Sequence, residues 1–128
     1  MNNINIEDMR TFYKRLNHGD YGVTEVRAIG KTPETTGQIY IGFFDDEDAF
    51  VGACEKFNHQ GYNIYTGRNP RHRAIMDNAP NTMRRGIGGG CAVDVSAVTA
   101  ITLDLDPIRP KDIPSTDEEH GWSRSLEL

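Results

Sequence analysis

The sequence predicts one small domain of the α+β class. Three observations predict it. Segments with apolar residues at helical spacing alternate with segments of period two. The length, 128 residues, suits one domain and is too short for two ordinary ones. Hydrophobic residues make up only 37%, which fits a small, loop-rich fold or a chain holding only part of its domain.

The elements follow in order. In residues 5–16, Ile6, Met9, Tyr13 and Leu16 recur at helical spacing, with Asn5 as N-cap. His18-Gly19-Asp20-Tyr21-Gly22 ends that helix. Residues 23–29 read as a strand with Val26 and Ala28 on one face and Glu25 and Arg27 on the other. The simplest reading of the charged pair is a solvated or cross-strand ion pair. A turn over 31–37 leads into a second strand, 38–44, and the two form a hairpin. Asp45 or Asp46 caps the next helix, 46–58, in which Phe50, Ala53, Cys54 and Phe57 fall at i, i+3, i+4 and i+7. Cys54 reads as a small core residue. Gln60-Gly61 stops the helix, and 62–65 is a short strand.

Periodicity then fails over residues 66–90, a long connection read as a functional loop or a partly mobile one. It holds five arginines, Arg68, Arg71, Arg73, Arg84 and Arg85, against one acid, Asp77. The formal net charge of −5 argues against a general nucleic-acid binder. Screening confines charge effects to about 8–10 Å, so this local basic surplus outweighs the total. The glycines at 86 and 88–90 read as a flexible linker or, with Arg84 and Arg85, a phosphate cradle. They lack the lysine and Ser/Thr of a P-loop.

Residues 91–98 regain an apolar alternation and lead into Ala100-Ile101-Thr102-Leu103-Asp104-Leu105-Asp106-Pro107-Ile108-Arg109-Pro110. Residues 91–106 read as one long strand or two joined at a bulge. Ile101, Leu103 and Leu105 share one face, and Thr102, Asp104 and Asp106 the other. Asp104 and Asp106 are either an exposed polar strand face or the ligands of a hard cation, Mg²⁺ or Mn²⁺. Asp94 is a candidate third carboxylate. Arg109 and Lys111 beside the acidic pair suit a phosphate-bearing substrate, or merely balance its charge. Ser115-Thr116-Asp117-Glu118 is a capping box that opens a last helix.

No apolar run approaches the roughly 18 residues of a spanning helix. The N-terminus lacks the features of a signal peptide. These observations predict a soluble, cytoplasmic protein with Cys54 and Cys91 reduced. His72 and His120 are single histidines on the surface, and no Ser/His/Asp or Cys/His arrangement stands out.

The run from Ile101 to Glu119, with Asp-Leu-Asp-Pro, Arg-Pro and Ser-Thr-Asp-Glu-Glu in sequence, resembles the first catalytic motif of the archaeo-eukaryotic primase superfamily. It is closest to the primase-polymerase branch of bacteria, phages and plasmids. Glu25-Val26-Arg27, the helix over 46–58 and Asn69-Pro70 are consistent upstream features. The resemblance implies an RNA-recognition-like antiparallel sheet with helices on one face. It implies template-directed nucleotidyl transfer with two divalent metals, Mg²⁺ or Mn²⁺, held by Asp104 and Asp106. The partners it implies are a single-stranded DNA template, nucleoside triphosphates and a helicase domain or partner, in phage, plasmid or mobile-element replication. The family's Ser-x-His and later third carboxylate do not follow Asp106 in this sequence. The resemblance therefore implies the N-terminal portion of an incomplete catalytic domain, 1–128, inactive alone. Two alternatives stand beside it. One is a non-catalytic nucleic-acid-binding or assembly module worked by Arg68, Arg71, Arg73, Arg84 and Arg85. The other is a metal-dependent phosphoesterase using the same acidic pair.

Overall fold

A computed structural model describes residues 5–16 and 18–101 of the chain. The elements are α1 (Ile6–Leu16), β1 (Thr24–Gly30), β2 (Ile39–Phe44), α2 (Glu47–His59), β3 (Tyr62–Thr66) and β4 (Met83–Arg85), with 3-10 helices at Arg73–Asn78 and Ala92–Asp94. The strands form one antiparallel sheet in the order β3-β1-β2-β4. β2 and β3 thus run the same way on either side of β1, joined by α2, a split β-α-β unit. The α+β class is as expected.

Register decides which side chains share a face. Arg27 lies opposite Ile41 on β2 and Tyr65 on β3. Even-numbered β1 residues therefore face the α-helices, and odd-numbered ones face away.

On the helix side, Val26, Phe44, Phe50, Val51 and Cys54 form a buried cluster, and Ile6, Met9 and Tyr13 of α1 pack against it. The Tyr13 and Phe50 rings stand 4.8 Å apart. Ala28, Phe57 and Tyr62 continue the core along the same face. α2 forms because its apolar residues recur on one side and its orphan amides are met. Asp46 is the N-cap, and its carboxylate accepts from the Ala49 amide at 2.9 Å. Arg10 donates to Glu47 and Asp48, both at 2.7 Å, and clips α1 to the start of α2. Burial pushes the Cys54 thiol up to about 12, as a small core residue should behave.

The other face is also covered, but by irregular chain. Val23, Ile41, Phe43 and Ala79 are buried there, with Ile75, Met76 and Ile87 packed on them. Much of this cover comes from the long connection over 66–90. It contains a six-residue 3-10 helix and a three-residue strand, both too short to leave a periodic signal.

The strand expected over 91–98 is absent. Its amides and carbonyls go elsewhere. Asp94 turns back to accept from the Cys91 amide at 2.9 Å and from the Cys91 thiol at 3.3 Å. That closes the 3-10 turn Ala92–Asp94 and breaks the alternation, leaving Val93 79% exposed. The chain then touches residue 71 by a single bridge at Val95, and the Ser96 amide donates to the Pro70 carbonyl. The remainder of the expected strand to Asp106, and the helix expected at Ser115, lie outside the described residues. Among the described residues no helix is long and apolar enough to cross a membrane.

Candidate functional site

The charged positions of β1 build the most organised polar cluster. Glu25 is 2% exposed, so the reading of Glu25 and Arg27 as a solvated or cross-strand pair is corrected. Both lie on one strand, two residues apart, and their side chains leave the same face. Glu25 accepts from Arg27 Nε, from Arg71 Nε at 3.2 Å and from the Gly90 amide at 2.6 Å. Arg27 also donates through Nη2 to the Gly90 carbonyl at 3.1 Å. A carboxylate buried this deeply is tolerable because every donor around it is placed for it.

The same contacts explain the glycines. A Cβ on Gly90 would sit 2.6 Å from Arg71 Nε and 2.7 Å from Glu25 Oε1. A Cβ on Gly89 would run into the Arg27 guanidinium. The flexible-linker reading of 86–90 therefore fails at its C-terminal end, where these glycines let backbone lie directly on the ion cluster.

The loop after β3 is pinned from four sides. The Gly67 amide donates to the Glu25 carbonyl, and residues 23 and 71 exchange backbone hydrogen bonds. His18, 2% exposed, bridges Thr24 Oγ1 and the Arg68 carbonyl, each at 2.9 Å. A carbonyl only accepts, so Nε2 carries the proton and Nδ1 accepts from the Thr24 hydroxyl. Burial holds His18 below the usual histidine range, and the charge of Arg71 adds to this while the Arg68 carbonyl opposes it. Asn69 Oδ1 accepts from the amides of Thr99 and Ala100 at 3.1 and 3.2 Å. The chain that leads into the acidic motif therefore leaves the described structure beside this loop.

Between β1, β3 and the loop lies a cavity of about 280 Å³. Its walls include Glu25, Arg27, Tyr65, Thr66, Arg68 and Arg71. Tyr65 is half exposed, and Arg68 is exposed.

The arginines expected to act together are thus separated. Arg68 and Arg71 meet at the cavity. Arg73 pairs with Asp45 at 3.3 Å and donates to the Gly19 carbonyl at 3.0 Å. Arg84 donates to the Asn78 carbonyl at 3.0 Å. Arg85 lines a different cavity, with Ile39, Ile41 and Ile87. Asp104, Asp106, Arg109, Lys111 and His120 lie outside the described residues. His72 is exposed. Asp94 is held below the usual carboxylate range by the hydrogen bonds from Cys91. Among the described residues no three His, Cys, Asp or Glu side chains gather in a metal-binding group.

His18 was not singled out by pattern, Arg27 was read only as half of an ion pair, Asn69 only as a feature of the resemblance, and Gly90 only within a glycine run read as a linker or phosphate cradle. The available signal was a charged pair inside an otherwise apolar strand, which marks a face that is not simply core or solvent. No family model matches the chain, and no curated protein or solved structure matches it.

Proposed function

We propose that this chain carries the first catalytic motif of a primase-polymerase domain, acting in template-directed nucleotidyl transfer on single-stranded DNA. The observation that carries the reading is the run from Ile101 to Glu119, with Asp104 and Asp106 two residues apart on a strand-like pattern. Two features of the fold support it. An antiparallel sheet with both α-helices on one face fits a domain of that type. Asn69 fixes Thr99 and Ala100 beside a cavity walled by arginines, and the four residues from Ala100 to Asp104 span at most about 14 Å.

Carboxylate oxygens are the donors that Mg²⁺ and Mn²⁺ prefer, so the Asp104–Asp106 pair fits the implied metals. When bound, such a cation supplies charge neutralisation for a triphosphate and a more acidic attacking hydroxyl. The chain's own contribution is positional. Glu25 and Asn69 hold the arginine loop and the entry to the acidic run in one fixed relation.

Titration with Mn²⁺, followed by water-proton relaxation, tests the ligand assignment. Asp104→Asn and Asp106→Asn should each weaken binding at least tenfold. Unchanged binding in both would overturn it. Primer synthesis on single-stranded DNA by the intact gene product, lost in Asp104→Ala, tests the activity. The cationic cavity favours a second reading, a nucleic-acid-binding module without catalysis. That reading expects binding that weakens steeply with salt and needs no divalent cation.

A further inference from the structure

We infer that the cavity between β1, β3 and the Gly67–Arg71 loop is a phosphate-binding pocket, and that buried Glu25 is its positioning residue. The inference deepens the nucleotidyl-transfer reading, and rests on it for the source of the phosphate.

Glu25 engages both neighbouring arginines through Nε. On Arg71 that contact leaves both terminal nitrogens directed away from the carboxylate, whereas Arg27 commits Nη2 to the Gly90 carbonyl. Arg71 makes no hydrogen bond through its terminal nitrogens among the described residues, and Nη2 lies 3.5 Å from where a Cβ on Gly67 would stand. Gly67 belongs to the wall of the same cavity. Exposed Arg68 adds a third guanidinium at that wall, and no ion pair forms on it among the described residues. Three arginines against one carboxylate leave a surplus of two positive charges around about 280 Å³.

Oriented guanidinium groups with free terminal N–H pairs are fork donors matched to phosphoryl oxygens. Glu25 fixes the Arg27 and Arg71 side chains before any ligand arrives, and the loop backbone that carries Arg68 is held by His18, by Asn69 through Thr99 and Ala100, and by Val23. Such pre-organisation spares a ligand the entropy of ordering two of the three long side chains. The half-exposed ring of Tyr65, on the same face as Arg27, completes the wall. An aromatic face beside phosphate donors is the arrangement that seats a nucleotide, because every base has a face that can stack. The phosphate can belong to a free nucleoside triphosphate or to the backbone of a single strand.

The test is amide chemical-shift titration of the protein with EDTA present, so that Asp104 and Asp106 take no part through a metal. The probes are inorganic triphosphate and an eight-residue oligothymidylate. Either probe should shift the amides of Gly67, Arg68 and Asn69. Arg68→Ala should weaken that binding at least fivefold, and Arg68→Lys should recover part of it. Arg85→Ala, at the other cavity, should leave it within twofold. A response to triphosphate alone supports a pocket for nucleotide, and a response to the oligonucleotide alone supports one for the strand. No shift with either probe would overturn the pocket. So would equal weakening by Arg68→Ala and Arg85→Ala, because that is the mark of diffuse attraction. Failure here leaves the Mn²⁺ titration untouched, and failure of that titration leaves the pocket untouched.

Discussion

The two faces of the sheet are held by different physics. The helix-covered face is closed by side-chain packing, with Val26, Phe44, Phe50 and Cys54 all fully buried. The opposite face has a smaller apolar cluster and, directly beside its Phe43, a buried carboxylate with three donors. Packing is spread over many weak contacts and tolerates partial loss. The ion cluster concentrates its contribution in a few atoms, each of which leaves a partner unsatisfied when removed. One face therefore mainly sets stability, and the other sets the placement of loops.

The largest effect should come from the packed face. Phe50→Ala should cost about 3–5 kcal/mol, read as a lower urea midpoint with unchanged slope. It should also speed alkylation of Cys54, whose buried thiol is otherwise protected. A loss below about 1 kcal/mol would mean that this face is not the main source of stability.

Next comes the polar face. Glu25→Ala should cost about 3 kcal/mol, since it strands two guanidinium groups and the Gly90 amide. The sharper expectation is where the damage falls. Hydrogen exchange should rise over residues 67–71 and 86–101, while α2 stays protected. Uniform loosening would erase the distinction between the faces.

Gly90→Ala probes the same region by crowding, and should cost about 1–3 kcal/mol. Its exchange pattern should match that of Glu25→Ala. Asp46→Ala removes only a helix cap, at about 1 kcal/mol, and should fray the start of α2 and leave the cavity unaltered.

The mildest effect is one of pH. His18 has its proton affinity lowered by the fold. As pH falls, the unfolded chain takes up a proton at about 6.5 while the folded one does not. Stability should be level above that value and decline as pH drops below it, until the folded-state value is reached. Urea titrations between pH 7.5 and 5 should show this decline in the parent protein and not in His18→Gln.

How legible each face was in the sequence follows from the same contrast. Phe50, Ala53, Cys54 and Phe57 repeat with the helical period, and Asp46 marks the start, so α2 and its buried side could be read directly. β1, β2 and β3 also fell within a residue or so of expectation, because alternation is a local signal. The Glu25 cluster joins positions 25, 27, 71 and 90, and no window of sequence contains them all. Residues 91–98 show the converse failure. Their alternation was real, but the two hydrogen bonds from Cys91 to Asp94 outweighed it, and among the described residues only residue 71 pairs with the segment, at Val95. The acidic pair was legible as a pattern, and the ligand role proposed for it rests on the resemblance of its surroundings.

The two rims of the sheet differ in a way that bears on self-association. β4 is three residues long and carries Arg84 and Arg85. A rim so short and so charged offers another chain little to pair with. β3 is five residues long, with half-exposed Tyr65 and no strand on its outer side among the described residues. Aggregation of this chain, when it occurs, should therefore begin along β3. A lysine at Asn63 would be the economical way to suppress it.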